Sequence, residues 1–322
     1  MGGRPVIELR WDPTLGEWVL VSAIREERPW HPRHACPFCP GGGETGRGWD
    51  VLIIENRYPV LKPDPPEPST HNFYGTQKSI GRCYVVIETP EHGLDDISDL
   101  PVEHIVKVVN AVRGKVVEAS KQARATYLLW FRNKGEEVGV SLTHPHSQVY
   151  VTPFIPSKVL RELSNSLKYW RSTGRCLFCT ILRAEVSDDV RVVFRNSSWV
   201  AFIPFYAHWP FEVHIYPRRH VQLLTQLSRG EVKGFAEALK TVLCGFKNLF
   251  RRPMPYVFAL HQAPLRGSYP HYHLHLEIYG MFRSTGLLKY AGGMELGGGN
   301  FTYDSTPEAN AELLRRALSR CA

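Results

Sequence analysis

Hydrophobic and polar positions along the chain fall into two similar series. In the first, the strand-like CYVVIETPEH (83–92) leads into apolar residues at helical spacing over 97–120, then YLLWF (127–131) and HPHSQVYV (144–151). In the second, FEVHIYPRRH (211–220) leads into a helical pattern over 224–250, then YVFAL (256–260) and HYHLHLEI (271–278). Each series opens behind a Cys-x-x-Cys pair, CPFC (36–39) or CLFC (176–179), and closes on histidines at every second position. Strands grouped with one long helix in each series predict a duplicated α+β unit, with mostly antiparallel sheets and helices packed on them. The proline-rich 61–72 reads as a surface loop and 152–176 as a helix and linker joining the halves. The tail reads as a glycine-rich loop followed by a helix that Ser305 or Thr306 caps. The expected division is residues 1–170, with the first Cys pair and HPHSQ, and residues 171–322, with the second Cys pair and the glycine-rich loop.

Composition narrows the class. The 322 residues, 43% of them hydrophobic, allow two domains of ordinary size. The N-terminal MGGRPVIELRWDP is charged and broken by proline, unlike a signal peptide, and no apolar run is long enough for a membrane span. A soluble, cytoplasmic protein with no membrane partner is expected. The net charge of +8 points to anionic partners, either nucleic acid or a phosphorylated small molecule. The basic residues are dispersed, with no run of five or more.

Of seven cysteines, Cys83, Cys244 and Cys321 read as small buried hydrophobes or surface thiols. The other four suit metal. Two thiolates separated by two residues need two further ligands to complete a tetrahedral zinc site. The repeat offers His92 and His144 to Cys36 and Cys39, and His220 and His271 to Cys176 and Cys179. A lone histidine is most often a hydrogen-bonded structural residue; a four-residue set recurring in the same order favours ligation. Neither pair opens a helix after a strand within a βαβ unit, so a thioredoxin-like role fits neither.

On a strand, positions 144, 146 and 148 share one face. Pro145 removes a ladder hydrogen bond, which places that strand at an edge or a bulge. His146, next to a metal-fixed His144, is the candidate nucleophile. Neutral imidazole attacks phosphorus through one ring nitrogen when the other donates to a backbone carbonyl. Gln148 cannot protonate a leaving group, but its amide can donate to a phosphoryl oxygen. Such a site suits transfer between phosphates, where the leaving group departs as phosphate.

These residues carry a resemblance. WDPTLGEWVLVSAIREERPW (11–30), ENRYP (55–59) and RNKGEEVGVSLTHPHSQ (132–148) are similar to the galactose-1-phosphate uridylyltransferase family, of the histidine-triad-like superfamily, from about Trp11 to about Phe301. The family's HPHGQ is HPHSQ here. The resemblance implies a nucleotidyltransferase of galactose metabolism. UDP-glucose would uridylylate His146 and release glucose 1-phosphate; galactose 1-phosphate would then take the UMP group and leave as UDP-galactose. It also implies a homodimer whose active sites draw on both subunits.

Residue by residue, the resemblance puts Arg28, Asn56, Asn133, Gly139, Ser141 and Gln148 around the nucleotide and its phosphates, and Arg25 as an arginine lent by the neighbouring subunit. The family's Asn-Asp pair is Asn56-Arg57 here. Lys289 and Glu295 match sugar contacts, a Lys for the sugar phosphate and a carboxylate for adjacent hydroxyls. Zinc is expected at Cys36, Cys39, His92 and His144, with a second zinc at Cys176, Cys179, His220 and His271, two per chain. Some relatives instead hold iron through one Glu and three His; those positions are Glu162, His261, His275 and, in place of the fourth His, Glu277. The nearest rival is adenylyl transfer from ADP-glucose to phosphate. A histidine-triad hydrolase is disfavoured by Gln148. A zinc-ribbon nucleic-acid-binding protein would leave HPHSQ and NKG unexplained, and the basic residues lack the aromatic interleaving of a single-strand platform, so no nucleic-acid partner is expected.

Overall fold

The first half contributes β1 (Ile7–Asp12), β2 (Glu17–Ser22), β3 (Leu52–Glu55), β4 (Thr76–Lys78), β5 (Arg82–Ile87), α1 (Val102–Ser120), β6 (Tyr127–Lys134) and β7 (His146–Thr152). Helices α2 (Ser157–Thr173) and α3 (Leu177–Asp188) follow, then β8 (Val192–Arg195), β9 (Trp199–Phe202), β10 (Phe211–Pro217), α4 (Arg229–Leu249), β11 (Tyr256–His261) and β12 (His275–Gly280). A hairpin of β13 (Phe282–Ser284) and β14 (Leu287–Leu288), then α5 (Gly293–Gly298) and α6 (Pro307–Leu318), ends the chain. The structure, a computed structural model, describes residues 6–27, 36–250 and 252–321.

Nine strands form one antiparallel sheet in the order β3-β5-β7-β6-β11-β12-β10-β9-β8. The order is nearly palindromic about the β6–β11 seam. β5, β7 and β6 run outward-in on one side as β10, β12 and β11 do on the other, so the duplicated α+β unit is visible in the topology. A separate three-stranded sheet, β2-β1-β4, belongs to the first half alone.

Side-chain alternation sets the two faces. Val149 and Val151 of β7 and Leu128 and Trp130 of β6 share one fully buried core with Ile105, Val108 and Val112 of α1 and Phe235, Leu239 and Val242 of α4. Each such side chain contributes about 1.5–3 kcal/mol on burial. His146, Gln148 and Tyr150 fall between those core positions and face the other way, half-buried. On that face Phe38 packs against Val85 and Ile87. One long helix per half therefore backs this side of the sheet; on the other side α2 and α3 pack over Tyr127, Phe202 and Tyr216, and the region around His146 is left for chemistry.

Local chemistry sets the element ends. The helical pattern from 224 begins with a short 3-10 turn, and α4 proper starts after Ser228, whose hydroxyl accepts from the Glu231 amide (3.3 Å) while Glu231 accepts from the Ser228 amide (2.8 Å). Thr306 caps α6. The placement of the HPHSQ strand at an edge or bulge does not hold. β7 lies between β5 and β6 and begins at His146, so Pro145 sits just outside the ladder and needs no amide hydrogen.

Cys244 and Cys321 are corrected too. They form a disulfide that ties α4 to the residues after α6, with Cα atoms 6.0 Å apart and a sequence separation of 77. Closing a loop of that size stabilises by about 2–4 kcal/mol. Cys321→Ser is expected to lower the melting temperature while leaving turnover at moderate temperature unchanged, because the pair lies away from His146. Coincident melting curves for the variant and the parent protein would contradict this.

Among the described residues, no helix is long and apolar enough to cross a membrane.

Candidate active site and metal centres

The first Cys pair sits in a tight loop that Gly42 makes possible: a Cβ there would come within 2.8 Å of the carbonyls of Cys36, Pro37 and Cys39. The loop meets the residue two before β7, His144. Cys36, Cys39, His92 and His144 bring one donor atom each to within 4.8 Å of one another. Cys39 Sγ lies 3.4 Å from His92 Nδ1 and 3.8 Å from His144 Nδ1, and the two Nδ1 atoms are 3.2 Å apart. A tetrahedral zinc with ordinary bond lengths requires edges of about 3.6 Å from S to N and about 3.4 Å from N to N. The donor set fits zinc. His144 Nε2 donates to Thr89 O (2.8 Å), which fixes the tautomer with the Nδ1 lone pair facing the cluster. Burial holds the His144 ring below its ordinary pKa, in the neutral form a ligand needs.

Two residues on, His146 Nδ1 donates to His144 O (2.8 Å). The ring's lone pair therefore lies on Nε2. Phe38 packs edge-on against the ring, 5.3 Å between centroids, so the rotamer is held from the side as well as by the hydrogen bond. Gln148 follows on the same face. Tyr150 OH donates to Gln148 Oε1 (3.4 Å), which turns the amide N–H groups outward. A cavity of about 330 Å³ opens beside His146, lined by Asn133, Lys134, Gly135, Thr143 and Arg252 among others. Gly135 has φ 104°, and a Cβ there would meet Pro255 Cβ at 2.6 Å, so the Asn-Lys-Gly turn at the cavity floor needs glycine.

Behind His146 lies a buried ion cluster that no short motif of the sequence marks. Arg132 on β6 is almost fully buried and donates to His146 O (2.9 Å), to Tyr256 OH (3.0 Å) and to the carboxylate of Glu88. It also reaches Asp96 Oδ1 (3.3 Å), which accepts from Tyr256 OH (2.7 Å). Burial pushes the Glu88 carboxyl up despite the adjacent guanidinium, and the two carboxylates hold Arg132 firmly charged. An arginine closing the otherwise apolar run YLLWFR was the available signal.

In the second half Cys176 caps α3, which follows a helix rather than a strand. The residue that converges with Cys176, Cys179 and His220 is His273, which corrects His271. His273 Nδ1 lies 3.6 Å from Cys179 Sγ and 3.2 Å from His220 Nδ1, and its Nε2 donates to Pro217 O (3.0 Å). His271 instead offers its backbone carbonyl to Cys176 Sγ (3.4 Å). The reason is register. His273 repeats the bonds of His144, and His275 Nδ1 donates to His273 O (2.9 Å) just as His146 does to His144 O. The Cys179 thiol and then His220 draw the Cys176 thiol down to about 5, and the same coupling pushes the Cys179 thiol up.

Glu162, His261, His275 and Glu277 form a third group whose donor atoms converge and could hold a metal. Their carboxylates are already engaged. Glu162 accepts from His261 Nδ1 (3.0 Å) and Tyr272 OH (2.6 Å), and Glu277 accepts from Lys158 and from Tyr279 OH.

The remaining candidates are placed unevenly. Asn56 follows β3, with its side chain accepting from the Tyr58 amide (2.8 Å), and Arg57 lies over the Tyr58 ring. Arg25, in the 3-10 turn after β2, sits close enough to Tyr150 to offset part of the burial of that phenol. Gly139, with φ 77°, and buried Ser141 share the loop whose Val140 and Leu142 line the His146 cavity. Arg28 lies outside the described residues. Lys289 and Glu295 meet each other and Thr302: Lys289 Nζ is 2.8 Å from Thr302 Oγ1 and 3.3 Å from Glu295 Oε1. Neither lines the His146 cavity of its own chain.

Comparison with known proteins agrees with this geometry. Residues 5–156 match the galactose-1-phosphate uridyl transferase N-terminal domain, and residues 162–321 match the C-terminal domain of the same family. A galactose-1-phosphate uridylyltransferase of Thermotoga maritima is 36% identical over 96% of this chain and 98% of its own. A solved uridylyltransferase structure superposes with a TM-score of 0.92 at 52% identity, covering 98% of this chain and 99% of that one. An ADP-glucose phosphorylase from Arabidopsis thaliana, solved with bound ADP-glucose, superposes at 0.76 with 27% identity, covering 95% and 98%. Two domain matches that together span nearly the whole chain, and relatives of more than 30% identity along almost its full length, decide the family: the chain belongs to the galactose-1-phosphate uridyl transferase family.

Proposed function

We propose that the protein transfers UMP from UDP-glucose to galactose 1-phosphate through a covalent intermediate on His146. The observation that carries this reading is the bond from His146 Nδ1 to His144 O, with Gln148 next on the same open face. In the first half-reaction His146 Nε2 attacks the α-phosphorus of UDP-glucose. A P–N bond forms, the bridging P–O bond breaks, and glucose 1-phosphate leaves with the electron pair. Its departure as a phosphate needs no proton, which suits an amide at 148. In the second half-reaction a phosphate oxygen of galactose 1-phosphate attacks the same phosphorus, the P–N bond breaks, and UDP-galactose leaves. Throughout, His144 O keeps the Nδ1 proton, and the Gln148 amide donates to a phosphoryl oxygen whose charge grows in each transition state.

Asn56, Asn133, Gly139, Ser141 and Arg28 are read as nucleotide and phosphate contacts. Lys289 and Glu295 are read as sugar contacts lent, with Arg25, across a homodimer interface. Supporting this, Tyr290, Met294 and Leu296 beside them are apolar and exposed, a patch that a second copy would cover. We assign a zinc ion to Cys36, Cys39, His92 and His144 and a second to Cys176, Cys179, His220 and His273. Zinc at these closed sites supplies structural order to the start of β7 and of β12. Iron or zinc at Glu162, His261, His275 and Glu277 is the alternative second site. Residues 1–170 and 171–322 are read as the nucleophile-bearing and hexose-binding halves of a cytoplasmic enzyme.

The likeness to an ADP-glucose phosphorylase keeps adenylyl transfer to phosphate as the second reading. A pocket shaped for uracil rejects the larger adenine by steric exclusion, whereas an adenine pocket discriminates weakly against uracil. The ratio of kcat/KM for UDP-glucose over ADP-glucose, each paired with galactose 1-phosphate and with inorganic phosphate, tests the assignment. Preference for UDP-glucose with the sugar phosphate is expected. Preference for ADP-glucose with phosphate would move the chain to the phosphorylase reading and leave the role of His146 intact.

A further inference from the structure

We propose that Arg132 is a positioning residue for the nucleophile, holding the His146 peptide from the far side of the sheet. The inference rests on the reading of His146 as nucleophile. The paired register of β6 and β7 runs from Tyr127–Thr152 to Phe131–Gln148 and ends there, short of His146. At the position where a β6 amide would otherwise continue the ladder, Arg132 Nη1 donates to His146 O (2.9 Å). The guanidinium is in turn fixed by Glu88, Asp96 and the Tyr256 hydroxyl, with almost no solvent exposure. The backbone that carries the imidazole is therefore held at both ends of the residue: its own ring is tied to His144 O, and its carbonyl is tied to Arg132.

The duplication supplies the control. His273 and His275 repeat the hydrogen bonds of His144 and His146. Gln148 pairs with Phe131, and its counterpart Glu277 pairs with Ala259, so Leu260 on β11 occupies the place of Arg132. Leu260 is fully buried in the apolar core. The fold thus accommodates a leucine at this position. A buried ion cluster is costly to desolvate and is often no more stable than apolar side chains of similar volume. It stands only behind the half with the nucleophile. Stability of the sheet does not account for that asymmetry; the need for a rigid His146 does, because a displacement on the order of 1 Å at a reacting group costs roughly 100-fold in rate.

Arg132→Leu copies the second half but leaves Glu88 and Asp96 without their cation. Arg132→Leu/Glu88→Gln/Asp96→Asn removes those charges as well and serves if the single variant does not fold. The experiment follows single-turnover nucleotidylation of His146 by UDP-glucose in the whole enzyme, normalised to folded sites, alongside donor KM. The expected result is a rate constant roughly 100-fold lower with KM within about twofold of the parent, and partial recovery in Arg132→Lys. An unchanged rate constant per folded site, with only the melting temperature altered, would overturn the proposal. If the parent enzyme carries no nucleotidyl group on His146, the nucleophile reading fails first, and that outcome is distinct from a labelled His146 that reacts at the parent rate in the variants.

Discussion

Replacing His146 by glycine is expected to leave a folded protein that still binds nucleotide sugar but turns over roughly 10⁴–10⁶-fold more slowly, the scale seen when a covalent nucleophile is removed. The imidazole is half-buried, packs against Phe38 and donates from Nδ1 to a neighbouring carbonyl, so its loss opens a small space at the cavity edge rather than a hole in the core. Gln148 cannot take over as nucleophile, since an amide nitrogen has no available lone pair. Steady-state kinetics with and without added imidazole check this, as free imidazole can enter the vacated position and accept the nucleotidyl group. Near-normal turnover by His146→Gly without imidazole would contradict the assignment.

Cys39→Ser should act on stability first and on rate through it. Cys39 Sγ faces Cys36, His92 and His144, so losing one thiolate breaks three of the six edges of the four-donor cluster. The loop of 36–39 and the residues before β7 then lose their shared anchor. Whole structural zinc sites are worth roughly 10–16 kcal/mol in small peptides. A loss on the order of 4 kcal/mol for one ligand in a large domain would lower Tm by about 8–16 °C. Metal content should fall from about two zinc ions per chain to about one, because Cys176, Cys179, His220 and His273 form a separate set. Thermal denaturation with elemental analysis measures both. Unchanged Tm and zinc content in the variant would remove the metal from this account.

The parts of the site legible in the sequence were those written in local spacing. CPFC, HPHSQ and the two helical stretches each report on a few consecutive residues, and alternation along β7 suffices to align His146 and Gln148, with His144 two residues ahead of the strand's first position. The second half failed on the same rule. His271, His273 and His275 all share period two, so alternation cannot say which of them faces the cysteines; the hydrogen bonds to Pro217 and His273 decide it. Pro145 suggests an edge because a proline inside a ladder loses a bond, but the strand begins one residue later. Cys244 and Cys321 pair across 77 residues, a distance no local pattern spans. Arg132 was lost among dispersed basic residues, although its place on an apolar strand already implied buried carboxylate partners. Lys289 and Glu295 were found by resemblance alone, and their own chain places them with Thr302 rather than beside His146.

The most direct test of the central claim omits the acceptor. The intact enzyme is incubated with UDP-glucose alone, quenched in base, digested and examined by mass spectrometry. The account predicts one uridylyl group per chain on the peptide carrying His146, stable to base and lost in acid, with release of one equivalent of glucose 1-phosphate. Turnover with no labelled intermediate, or a label on any residue other than His146, would contradict it.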